Sequence, residues 1–161
     1  MNHIELRDLD DDDLDAIFEM MREPEGVAMA AFTAEDPDDR DAFDAWIDRQ
    51  RHSADVLCQV VTENGGFAGT AAAFTIDGDR EVSFWIARHA RGRGVATEAL
   101  RHLVSREPVR PLFARAAAHN AGSIAVLTRV GFTEVSRNVD YAPGLGRDDE
   151  EIVFTLVPTL E

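Results

Sequence analysis

Arg91-Gly92-Arg93-Gly94-Val95-Ala96 is the stretch on which the fold turns. It follows a β-rich run that ends in Phe84-Trp85-Ile86. It opens a segment from Val95 to Arg106 in which Leu100, Leu103 and Val104 recur at helical spacing. Glycine has no Cβ, so the main chain can turn tightly there and its N–H groups stay uncovered. The helix start behind the loop adds its own free N–H groups and the positive end of its dipole at the same spot. With two arginines in the same loop, the hexapeptide is a cradle for a pyrophosphate in physical terms. The plainer reading is a glycine-bearing start of a helix. Thr97 stands where a dinucleotide fingerprint has its third glycine, and no Gly-Lys-Ser/Thr occurs, so neither that fingerprint nor a P-loop is present.

The flanking sequence divides into short elements. Ile4 to Leu9 reads as a strand. Asp10 to Asp13 can cap a helix that carries Leu14, Ile17, Phe18 and Met21, and Pro24 and Gly26 then break it. Asp36-Pro37 caps a second helix with Phe43, Trp46 and Ile47 on one face. Val56 to Val61 and Phe67 to Ile76 are strands joined by the turn Glu63-Asn64-Gly65-Gly66, and a second turn, Asp77-Gly78-Asp79, leads into Glu81 to Ile86. After the Val95 to Arg106 helix come a short strand, Leu112 to Ala117, and a helix from Ser123 to Val130 that Gly131 ends. Thr133 to Val139 and Glu151 to Val157 form a last strand pair around a loop. The predicted order is a strand, two helices, three strands, a helix, a strand, a helix and two strands. This is a mixed α/β domain with a meander first and one β-α-β crossover second.

Composition bounds the function. The 161 residues are 45% apolar and 29% charged, which suits one globular domain spanning 1–161 with roughly 70% of the unfolded surface buried. The net charge of −15 argues against nucleic acid and anionic membrane as partners, both of which need clustered cations. One cysteine, Cys58, allows no internal disulfide, and it reads as a core residue. His3, His52, His89, His102 and His119 show no metal spacing. An acidic N-terminus without a signal pattern, and no apolar run of membrane length, lead us to expect a soluble cytoplasmic protein. Every basic residue is Arg, so chemistry that requires lysine is absent. The charge is uneven. Residues 80–115 carry eight Arg against three acids (Glu81, Glu98, Glu107), and the rest carries eight Arg against twenty-eight acids. A basic island in an acidic chain suggests an anion site, with clustering on a solvated helix face as the alternative.

On these residues the sequence resembles the GNAT N-acetyltransferase family. Arg91, Gly94 and Ala96 match its Gln/Arg-x-x-Gly-x-Gly/Ala motif in register. Glu81-Val-Ser-Phe-Trp-Ile86 resembles its fourth strand, Asn120 matches an asparagine that helps bind pantetheine, and Leu127-Thr-Arg-Val-Gly-Phe132 resembles its closing element. Asn120 with Ser123 is most similar to the ribosomal-protein N-terminal acetyltransferase branch. The resemblance runs from Ile4 to Val157. It implies a mostly antiparallel sheet of about seven strands, splayed between the fourth and fifth, with acetyl-CoA as co-substrate in the splay and no metal. Backbone groups of Phe84, Trp85 and Ile86 would pair with the pantetheine, and Arg91, Gly92, Arg93, Gly94, Val95, Ala96 and Thr97 would hold the pyrophosphate. Arg88, Arg93 and Arg129 are candidates for the 3′-phosphate or outer contacts, with solvated charge the alternative for each.

The resemblance also assigns the proton chemistry. Glu81 starts the strand that lines the cleft, where relatives place a carboxylate base; otherwise it is an exposed strand-end acid. Many relatives use a tyrosine acid at the position of Leu127, so that group is missing here. Ser123 is its substitute by analogy, unless its hydroxyl caps the helix or touches the cofactor. Tyr141 and His119 could reach the site, and the Ile86 N–H could steady an oxyanion. Phe32 and Trp46 lie where the family builds acceptor specificity, although Trp46 also reads as core. The implied activity is direct transfer of an acetyl group to a primary amine, a protein N-terminus or a small amine, for which the acidic body favours a cation. A binding module without turnover is the competing reading. A homodimer stays open alongside a monomer.

Overall fold

The computed structural model describes residues 2–158. Seven strands form one sheet in the order β1-β2-β3-β4-β5-β7-β6: β1 Ile4–Asp8, β2 Leu57–Glu63, β3 Gly66–Ile76, β4 Asp79–Ile86, β5 Leu112–Ala117, β6 Thr133–Ala142 and β7 Arg147–Leu156. Five α-helices join them: α1 Leu14–Arg22, α2 Pro24–Ala30, α3 Arg40–His52, α4 Val95–Arg106 and α5 Ala121–Val130. All neighbours are antiparallel except β4 and β5, whose parallel register covers only Arg80↔Leu112 and Glu81↔Phe113. Beyond Glu81 these two strands part, and Val82 to Ile86 pair only with β3 among the described residues.

Strand alternation distributes β4 between two cores. Val82, Phe84 and Ile86 pack on the large core beneath α4 and α5, where Leu100, Leu103, Leu112, Leu127 and Phe132 are fully buried. Each such side chain contributes roughly 1.5–3 kcal/mol. Trp85 faces the other way, into a smaller core with Ile17, Phe18, Phe43 and Ile47 of α1 and α3. Opposed layers on the two faces clamp β4, so its free edge stays fixed where β5 turns away.

The architecture matches the expected class, with corrections in the first third. The predicted break at Pro24 and Gly26 is a further helix, α2, so three helices precede β2 rather than two. Proline is tolerated at the first helical position, and the Glu23 carboxylate caps the turn by accepting from Glu25 N (2.5 Å) and Gly26 N (3.3 Å). The cap of α3 is Asp39, which accepts from Ala42 N at 3.0 Å, while Asp36 accepts from Asp38 N in the preceding turn. The last strands run longer than predicted. Their inner halves carry polar residues on both faces, so hydropathy gave no signal and backbone pairing alone extends them. Trp46 is 37% exposed, at the rim rather than in the core. Tyr141 lies on β6, opposite Asp148, and is 57% exposed.

Candidate active site

The parting of β4 and β5 opens a cleft of about 870 Å³, within the usual range for a ligand site. The 91–94 loop and the first turn of α4 form one wall. Gly92 and Gly94 hold φ of +82° and +79°, and a Cβ built on either would meet no atom within 4 Å, so the loop presents bare backbone to open space. Thr97, the third residue of α4, lines the same wall. It is 7% exposed, and its Oγ1 has no hydrogen-bond partner among the described residues. A buried hydroxyl left unpaired costs about 1–3 kcal/mol. An acceptor oxygen of a bound diphosphate is the kind of group that would satisfy it, so the residues present fit acetyl-CoA here.

The loop arginines behave otherwise than expected. Arg91 donates from Nε to the Ile86 carbonyl at 3.0 Å and from Nη1 to Glu23 at 3.2 Å. Arg93 is ion-paired with Glu63 at the end of β2, donates to the His89 carbonyl, and does not line the cleft. Arg88 faces Glu25 at 3.5 Å. Pairing of this kind recurs in the basic island: Arg80 with Glu107 and Asp55, Arg101 with Glu98, Arg115 with Glu81 and Glu151, whereas Arg106 and Arg110 donate to Gln59 and to backbone carbonyls. The two loop arginines are paired with acids distant in sequence, Glu23 and Glu63, so what the loop offers an anion is chiefly its backbone N–H groups. Arg129 at the end of α5 does line the cleft, with no carboxylate within 4 Å among the described residues. Asn120 and Ser123 line it as well. The Asn120 Oδ1 caps α5 by accepting from Ser123 N at 3.1 Å, so the capping role considered for the serine hydroxyl belongs to the asparagine. The side-chain NH2 of Asn120 remains available to donate to a ligand.

The opposite wall is acidic and apolar. Glu81 is buried and accepts from Arg115 Nε at 3.0 Å, and Glu151 of β7 approaches Arg115 Nη1 at 3.4 Å. Burial pushes the Glu151 carboxyl above the usual glutamate range; the Glu81 and Asp140 charges add to this and Arg115 opposes it. Met29, Ala30 and Phe32 close this side. Ala31 between them adopts φ +62°, ψ −52°, with Phe32 N bonded to Ala30 O at 2.6 Å. Such a conformation costs about 1–3 kcal/mol in a residue with a side chain. The Gly144 N–H, bonded to the Ala31 carbonyl at 2.7 Å, helps to hold it. His119 stays outside the cleft and ties α2 to β7, its ring nitrogens 2.9 Å from the Ala28 carbonyl and 3.0 Å from Asp149.

Sequence reasoning missed Glu151, Arg115 and Glu23. Glu151 reads only as the first residue of the last strand, and the β5–β7 register Ala117↔Glu151 is what carries it to the cleft. Among the described residues, no three His, Cys, Asp or Glu side chains are grouped to hold a metal ion.

A family model for the acetyltransferase (GNAT) domain matches residues 3–133. The chain belongs to the GNAT acetyltransferase family. Solved structures with the same fold include spermidine N-acetyltransferase from Vibrio cholerae in complex with CoA and spermine (TM-score 0.83, 17% identity, 96% of this chain and 95% of that one). Another is the ribosomal-protein-alanine N-acetyltransferase from Brucella melitensis (TM-score 0.79, 22% identity, 96% and 99%). A third is the ribosomal N-protein acetyltransferase RimL in complex with coenzyme A (TM-score 0.80, 15% identity, 96% and 93%). No curated protein sequence matches the chain.

Proposed function

We propose that this protein is an acetyl-CoA-dependent N-acetyltransferase that acetylates a primary amine by direct transfer in a ternary complex. The observation that carries the reading is the juxtaposition in one cleft of a bare-backbone phosphate loop, the unpaired Thr97 hydroxyl and an acidic wall. Acetyl-CoA, when bound, supplies the thioester. The free edge of β4 at Phe84, Trp85 and Ile86 is suited to bind the pantetheine arm as an added strand. The 92–97 backbone, the Thr97 hydroxyl and Arg129 would hold the phosphates, and the Asn120 amide and Ser123 would face the thioester end. Glu81 belongs to the carboxylate wall that receives the acceptor ammonium, and Ser123 is the candidate donor to the leaving thiolate.

The acceptor class we favour is a cationic amine. The solved relatives include one bound to spermine and others named for ribosomal-protein N-termini, and both kinds of substrate present an ammonium that two carboxylates would attract. In this proposal the whole chain, residues 1–161, forms one acetyltransferase domain acting in the cytoplasm. Thermal unfolding with acetyl-CoA, CoA and NAD tests the donor. Free-thiol release with spermine and with a peptide bearing a free N-terminal alanine tests the acceptor. A thermal shift with acetyl-CoA but not NAD, together with thiol release, supports the proposal. No shift at millimolar ligand refutes the cradle. A shift without turnover on any amine would instead favour an acyl-CoA-binding module.

A further inference from the structure

We propose that Glu151 is the carboxylate that takes the proton from the acceptor ammonium, while Arg115 and Glu81 hold it in position. This rests on the acetyltransferase reading and deepens it. The β4–β5 register sets Glu81 beside Phe113, two residues before Arg115, and the β5–β7 register sets Ala117 opposite Glu151. Strand alternation therefore turns Glu81, Arg115 and Glu151 to the same face of the sheet, and all three line the cleft where β4 and β5 part. One cation stands between two carboxylates, and it does not serve them equally. Glu81 holds Arg115 Nε at 3.0 Å; Glu151 has the looser contact, 3.4 Å to Nη1.

The charged groups around Glu151 come from three strands: Arg115 on β5, Glu81 on β4 and Asp140 on β6. Its register partner on β6 is the neutral Asn138. With its side chain 12% exposed, Glu151 is both poorly hydrated and under-compensated. Its raised proton affinity agrees with that setting. A carboxylate whose proton affinity is raised toward neutrality is the better base. Glu151 thus accepts one proton from R-NH3⁺. The freed lone pair forms the N–C bond to the acetyl carbon as the C–S bond breaks. The sulfur leaves with that electron pair and takes up a second proton lost by the nitrogen. The proton on Glu151 then returns to solvent.

The test compares wild type, Glu151→Gln, Glu151→Asp and Glu81→Gln with spermine and the alanine peptide, from mildly acidic to mildly alkaline pH. Glu151→Gln should lower kcat about 10²-fold with acetyl-CoA affinity unchanged. It should also replace the wild-type plateau with a rate that climbs in proportion to free amine. Glu151→Asp should keep a plateau, and Glu81→Gln should lower kcat without abolishing it. In the unliganded proteins, a carbon NMR titration should show one carboxyl titrating above the ordinary glutamate range in wild type and absent from Glu151→Gln. That readout does not depend on turnover. The proposal is overturned if Glu151→Gln keeps the wild-type profile, if Glu81→Gln is the variant that loses the plateau, or if the high-titrating carboxyl survives in Glu151→Gln. Wild type that binds acetyl-CoA but acetylates neither amine would overturn the acetyltransferase reading itself.

Discussion

The Arg91 guanidinium is bonded to the Glu23 carboxylate at 3.2 Å, and this contact fastens the glycine loop before α4 to the cap of α2. Gly26 in the first turn of that helix leaves room for it, since a Cβ there would lie 2.8 Å from Arg91 Nη2 and 3.4 Å from the Trp85 ring. Arg91 is thus a strut between the two walls of the cleft, which in the proposed function face the donor and the acceptor. Arg91→Met should raise the amine KM by several fold, in keeping with the loss of a partly buried charged hydrogen bond worth about 1–3 kcal/mol. Acetyl-CoA affinity by calorimetry should change far less. A large loss of acetyl-CoA affinity at constant amine KM would mean that the side chain grips phosphate instead.

Thr97→Val offers a separation of stability from binding. Removing an unpaired buried hydroxyl while keeping the shape should leave the free protein as stable or slightly more so. Acetyl-CoA affinity should fall by roughly 0.5–1.5 kcal/mol, the worth of one hydrogen bond. Thermal unfolding with and without ligand measures both; a variant that loses stability and keeps its affinity would show that the hydroxyl has a structural role.

Gly94→Glu should abolish acetyl-CoA binding. It puts a side chain with a carboxylate into the open space above the loop, at a φ of +79° that a residue with a Cβ adopts only with strain of about 1–3 kcal/mol. The wild-type gain of about 2.7 kcal/mol at one hundred times the dissociation constant should disappear from the melting curves. A fold retained by circular dichroism, with no ligand-induced shift, is the expected pair of results.

Acid should loosen the start of α1 through Asp13. Its carboxylate accepts two hydrogen bonds from Arg7, at 2.7 and 2.8 Å, and one from Asp10 N at 2.9 Å. The Arg7 bonds hold it below the usual aspartate range, against the effect of burial. A depressed carboxyl contributes stability that is fully present above its unfolded pKa and is lost as pH falls through the folded one. Asp13→Asn should cost about 1–2 kcal/mol at neutral pH, and the difference from wild type should shrink on acidification. Urea melts across that range give the answer, and a penalty independent of pH would remove Asp13 as the acid-sensitive group.

Local chemistry explains why so much of the fold was legible. The two tight turns, Asn64-Gly65 and Asp77-Gly78, carry residues that accept positive φ, and both form as hairpins. The loop at Arg91 to Ala96 declares itself by the same means, since glycine, helix start and preceding strand are all consecutive. The α2 helix escaped because its signals conflict: Pro24 and Gly26 mark a break, yet proline suits a first turn and Gly26 is there for the approach of Arg91. Trp46 shows a related limit, since helical spacing names a face but not what covers it.

The class of fold, the glycine loop and the helix that begins behind it are legible in the sequence, because each depends on residues a few positions apart. The absence of lysine chemistry is legible there too. Which charges are free depends on tertiary packing. The loop arginines of the basic island are paired with Glu23 and Glu63 from other elements, while Arg129 remains toward the cleft. The same holds for the acidic wall. Glu81, Arg115 and Glu151 meet through two strand registers, and no local pattern encodes a register between strands so far apart in the chain. In the proposal made for them, two equally buried glutamates differ through their neighbours, the closer Arg115 contact falling to Glu81, rather than through residue type.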